Sequence, residues 1–100
     1  VIDLSPEADR HLRQLTEHYE ARDRLDAARN LLAAVEAAKM RIARRPSDGL
    51  PAPRPYPELA DLDLLWIIEH RYWIAYTSTS SDPPVIAAIF HDTADIPNRI

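Results

Sequence analysis

The residues best able to do chemistry lie late in the chain. His91 stands directly before Asp92 and four residues before Asp95. A histidine beside carboxylates can move protons near neutral pH or ligate a metal. Neither a nucleophile nor a third ligand falls at a suitable spacing, so the group reads first as a hydrogen-bonded tie between tail and sheet. Arg71 precedes the aromatic run Tyr72-Trp73-Ile74-Ala75-Tyr76 and by alternation shares the side of Trp73. It reads first as a turn arginine stacked on a ring, and second as a cation at a functional surface. Arg41, Arg44, Arg45 and Arg54 are the cations that could converge beside it. His11 and His18, seven residues apart, share one face of a helix. Two imidazoles alone do not make a metal site, and boundary positions are expected for both.

The bulk composition removes several kinds of chemistry. There is no cysteine, hence no thiolate nucleophile and no disulfide, as in proteins of a reducing cytoplasm. A single glycine excludes a glycine-rich phosphate loop. No apolar run is long enough to span a membrane, and Val1-Ile2-Asp3-Leu4 does not read as a secretory signal. Nothing calls for a metal or a cofactor. The net charge of −4 argues against strong direct nucleic-acid binding. Charge is uneven, however. Residues 41–57 carry four arginines against Asp48, whereas residues 58–100 carry two arginines against seven acids.

The elements that must position these residues read as follows. Val1–Leu4 is a short apolar strand. Ser5-Pro6-Glu7 is a helix start, with a capping hydroxyl, a proline suited to the first turn and an acid at the positive helix end. Ala8, Leu12, Leu15 and Tyr19 recur at helical spacing, which predicts a helix over 6–23. Asp26 is expected to cap a second helix whose apolar stripe is Ala28, Leu31, Leu32, Val35, Ala38 and Ile42, ending at Pro46. The two form an antiparallel hairpin. Five prolines within 46–57 predict an extended, polyproline-like connection packed against the domain. Strands are predicted over 64–70, 72–79 and 85–91, with a turn cluster at 79–84. In the last strand Val85, Ala87 and Ile89 should alternate with Ile86, Ala88 and Phe90. Both sheet faces are then apolar, while two helices cover only one. The other needs the proline segment, the tail, or another protein.

The run RYWIAY, followed by PVIAAIFHDTADIPNRI and preceded by the helical hairpin, resembles the RelE/ParE superfamily of bacterial toxins over nearly the whole chain. The resemblance implies one domain over residues 1–100, of α+β class and order β-α-α-β-β-β, with the hairpin packed on one face of a mainly antiparallel sheet. It implies the toxin of a type II toxin–antitoxin pair, cytoplasmic and neutralised by a cognate antitoxin that contributes a helix and an extended segment. ParE-like members imply DNA gyrase or another topoisomerase as target; RelE-like members imply ribosome-dependent messenger RNA cleavage. Two arginines usual in the family are replaced here, by Trp73 and Ala94. Phosphate chemistry needs cations and a proton-handling group, so the replacements favour the ParE-like branch and a binding protein over an enzyme. A nuclease would have to use Arg54, Arg71, Tyr76 and His91. A partner surface would draw on Arg71, Trp73, Tyr76, His91 and Asp95. A degenerate member that binds antitoxin without poisoning a target is a third reading.

Overall fold

A computed structural model describes residues 2–79 and 82–99. Val1 of the expected first strand, and Ser80 and Ser81 of the expected turn cluster, lie outside the described residues. The order is β1 (Asp3–Leu4), α1 (Pro6–Ala21), α2 (Leu25–Arg44), a 3-10 helix (Pro57–Leu62), β2 (Leu65–Glu69), β3 (Tyr72–Thr77), β4 (Val85–His91) and a 3-10 turn (Ile96–Asn98). The fold is α+β with the expected order β-α-α-β-β-β. The sheet order is β1-β4-β3-β2, antiparallel except for the short parallel pairing of β1 with β4.

Helix α1 begins as its residues dictate. The Ser5 hydroxyl accepts the Ala8 N–H at 3.1 Å, with Pro6 in the first turn. The same hydroxyl donates to the Ala87 carbonyl at 3.3 Å, tying the helix start to β4. The helix ends at Ala21, earlier than its apolar spacing suggests, because Asp23 adopts a left-handed φ of 55° and Arg24 N–H folds back to the Tyr19 carbonyl. Aspartate tolerates that conformation better than most residues.

Helix α2 differs from expectation in two places. Its N-cap position is Arg24, without a side-chain cap, and Asp26 lies inside the first turn, held by the Arg24 guanidinium at 3.1 Å. That pairing, by hydrogen bond first, raises the Arg24 pKa and lowers that of Asp26. The buried stripe is Leu31, Ala34, Val35, Ala38 and Ile42. Leu32 is left on the outer face, since successive residues are about 100° apart around a helix.

Both sheet faces are closed within the chain. The helix-side core gathers Leu31, Val35 and Ile42 with Ile67, Tyr72, Ile74, Tyr76, Ile86 and Ile89. On the opposite face Trp66, Trp73, Ala75, Ala88 and Phe90 are covered by Leu50, Ala52, Tyr56 and Leu59 of the proline segment and by Ala94 and Ile96 of the tail. The segment is not extended throughout. Leu50 forms an antiparallel bridge with Trp66, Pro53 is fully buried, and Pro57 opens the 3-10 helix. The expected alternation along β4 is also broken. A register shift between Ala75 and Tyr76 sets Ala75 opposite Ala88 but Tyr76 opposite Ile86. Ala87 is the extra residue of a bulge. Ile86 and Ile89 therefore both face the helices, while Ala88 and Phe90 face the second core.

Candidate functional site

The shortness of β1 creates the main surface feature. It pairs only with Val85 and Ile86, because the chain then turns into α1 at Ser5. Among the described residues the edge of β4 beyond Ile86 has no neighbouring strand, and α1 runs past it. In the antiparallel ladder with β3, residues on the Ile74–Ile89 parity turn their backbone groups outward. The Ile89 N–H is met by His11 Nδ1 of α1 at 3.2 Å. An imidazole on a helix thus takes the place of a strand.

A groove of about 820 Å³ lies along this edge. One wall is α1, with Arg10, His11, Gln14, Leu15, His18 and Tyr19 at helical spacing; the other is β4 and the tail, with His91, Thr93, Asp95 and Arg99 among its residues. Burial, then the charges of Arg10 and Arg99, lower the His11 pKa, opposed in part by Glu7. The neutral ring is the form that can accept the Ile89 N–H at Nδ1. At the end of the groove the Tyr19 and Tyr72 hydroxyls share a 2.5 Å hydrogen bond. Burial and this bond drive the Tyr72 pKa well above the ordinary phenol value. The Tyr72 hydroxyl is thereby no ready proton donor or nucleophile near neutral pH.

The sequence-derived candidates separate into three groups. His91 and Asp95 line the groove. His91 Nδ1 lies 3.2 Å from the Thr93 N–H, 2.8 Å from Thr93 Oγ1 and 3.1 Å from Asp92 Oδ1. A bare Nδ1 accepts the Thr93 N–H and leaves Asp92 Oδ1, which is buried without a hydrogen-bond partner among the described residues. A protonated Nδ1 serves Asp92 and forfeits that N–H. Either way the ring holds the turn after β4. Asp95 receives the Asn98 amide. Arg71, expected to stack on an aromatic ring, sits in the β2–β3 turn and reaches Asp92 at 3.8 Å, behind the groove's His91 end.

Trp73 and Tyr76 form a second group, buried in the two cores at 5% and 0% exposure. Trp73 packs under the proline segment. The Tyr76 hydroxyl donates to the Pro46 carbonyl at 2.9 Å and accepts the Gly49 N–H at 3.0 Å. Its pKa is raised by burial. Neither side chain presents a surface to a partner in this conformation.

The third group is the arginines. Arg41, Arg44 and Arg45 line a smaller groove at the end of α2 with Met40 and Asp48. Arg41 donates to the Ile68 carbonyl, and Arg45 pairs with Asp48. Arg54 lies in the proline segment, exposed, and lines neither groove. The expected convergence of all four beside Arg71 is not formed. No group of three or more His, Asp or Glu side chains is placed to hold a metal among the described residues.

Arg10, Gln14, Tyr19 and Arg99 were not singled out by sequence reasoning. For Gln14 the signal was its helical face, about 60° from His11 and about 40° from His18 around the helix.

No curated protein sequence matches this chain significantly. The family model described as the ParE toxin of the type II toxin-antitoxin system parDE matches residues 2–96. With nearly all of its length covered, the chain belongs to the ParE toxin family of type II toxin–antitoxin systems.

Proposed function

We propose that the chain inhibits growth by binding DNA gyrase, and that a cognate antitoxin neutralises it by seating a segment in the α1–β4 groove. One observation carries the binding reading over the nuclease one. The four residues a ribonuclease would need do not assemble. Tyr76 is fully buried and hydrogen-bonded at both lone pair and proton, Arg54 is outside the groove, Arg71 is tied toward Asp92, and His91 is committed to its own turn. Phosphodiester cleavage requires cations and a proton-transfer group around one phosphate.

Support for the antitoxin's place comes from the groove itself. It sets an amphipathic helical wall against β4 and the tail, a shape suited to a bound segment. Its lining sets the two cations Arg10 and Arg99 against the one carboxylate of Asp95, a balance suited to an acidic or polar segment. Inducing the chain alone should arrest growth, and co-expressing its cognate antitoxin should restore it. Absence of a growth defect with antitoxin binding intact would instead identify a non-toxic member. New messenger RNA breaks inside translated codons would restore the nuclease reading.

A further inference from the structure

The outer face of α2 carries a stripe that nothing among the described residues covers. Leu25, Leu32 and Met40 are 54%, 52% and 58% exposed. They lie on one side of the helix, opposite the buried Leu31, Ala34, Val35, Ala38 and Ile42. Arg29 and Glu36 fall between them on the same stripe, both exposed. Single exposed apolar residues are ordinary, but a stripe of three along one 20-residue helix is a contact surface.

We propose that this face pairs with the same face of a second copy of the chain, antiparallel, about a two-fold axis passing between Leu32 and Ala33. The charge pattern selects both the partner and the register. About that axis Leu25 meets Met40 of the partner subunit, Arg29 meets Glu36 of the partner subunit, and Leu32 meets Ala33 of the partner subunit. Each contact occurs twice, as a self-complementary interface requires. Asp26 and Lys39 lie on opposite flanks of this stripe, so the cross-subunit charge pairing rests on Arg29 and Glu36. Moving the axis to Ala34 would set Arg29 against Lys39 of the partner subunit, placing like charges together. Among the described residues Glu36 pairs with Lys39 at 3.6 Å, with the Glu36 carboxylate exposed, and Asp26 pairs with Arg24. Such pairs leave capacity for a second partner. Exposed Ala33 and half-buried Ala28 and Ala37 let the helices approach closely. The groove residues lie on α1, β4 and the tail, so the paired form keeps that groove open.

One helix face per protomer is a small interface, so self-association belongs at about 1–100 µM. Sedimentation velocity of the purified chain over that range should show its mass rising from 11.4 kDa toward twice that value. Arg29→Glu and Glu36→Arg should each give a monomer across the range. The double variant R29E/E36R, with both charges exchanged, should regain the dimer. Leu32→Glu should stay monomeric; as the side chain is exposed, its thermal unfolding should match that of the parent chain. A parent chain monomeric at roughly 100 µM overturns the proposal. So does a dimer indifferent to the single charge reversals, or a double variant that stays monomeric. Loss of antitoxin binding in L32E, with a monomeric parent chain, would assign the face to the antitoxin and overturn it equally.

Discussion

His11 Nδ1 accepts the Ile89 N–H at 3.2 Å, across 78 positions of sequence. This contact closes the β4 edge that β1 leaves open after Ile86. Unpaired strand edges invite pairing with other chains, and His11 blunts this one.

The first prediction concerns pH. Burial and the neighbouring Arg10 and Arg99 hold the folded pKa of His11 below its ordinary value of 6.5, with Glu7 opposing. The unfolded chain then binds more protons than the folded one, and stability rises with pH in that window. The contribution is complete above 6.5 and is lost as pH falls through the lowered folded value. Urea unfolding near neutral pH and at mildly acid pH should show this loss. His11→Gln keeps an acceptor for Ile89 but does not titrate, and should flatten the pH dependence. An unchanged slope in H11Q would refute the assignment.

A second prediction rests on Tyr76. Its hydroxyl joins Pro46 and Gly49, the two ends of the turn that leaves α2. Tyr76→Phe strands a backbone N–H and a carbonyl and should cost about 1–3 kcal/mol in chemical denaturation. Gly49→Ala should cost as much or more, because an added Cβ would stand 2.7 Å from both Leu65 Cβ and the Tyr76 hydroxyl. The only glycine in the chain is required there by close approach. A Y76F protein as stable as its parent would contradict a structural role.

Ser5 gives a third. Its hydroxyl caps α1 and also donates to Ala87 at the β4 bulge. Ser5→Ala should destabilise by about 0.5–2 kcal/mol, the usual cost of losing an N-cap. Hydrogen exchange should locate the loss at the start of α1 and around Ala87. Protection lost elsewhere and kept at these positions would sink this reading.

These contacts mark what the sequence made legible. The start of α1 was readable because capping chemistry is local: a hydroxyl, a proline and an acid in three successive residues. The alternate faces of Trp73 and Tyr76 were readable because strand geometry alternates side chains. The need for a cover on the second face followed, and the proline segment and tail supply it. The bulge at Ala87 was not readable, since nothing in a run of apolar residues marks where an extra one is inserted. Leu32 was misplaced for a related reason: it adjoins Leu31, and composition does not say which of two neighbouring leucines faces inward. The groove was hidden because it depends on where β1 stops, a tertiary relation between Ser5 and β4. Asp26 was misread as a cap because its capping chemistry is engaged by the Arg24 side chain.

The fourth prediction tests the groove as the antitoxin's seat. Arg10→Glu combined with Arg99→Glu reverses the charge of its lining and should weaken antitoxin binding at least about tenfold. Arg54→Ala, outside the groove, should leave binding unchanged. Isothermal titration with the antitoxin's toxin-binding segment reads both. Equal loss in both variants would indicate general charge attraction and no defined seat.

The central claim is that this ParE-family chain acts by binding gyrase, without nuclease chemistry of its own. The direct measurement is plasmid supercoiling by purified gyrase with increasing amounts of the chain. Micromolar chain should block supercoiling and accumulate cleaved gyrase–DNA complex, and added antitoxin should reverse the block. Supercoiling untouched at micromolar chain would contradict the claim.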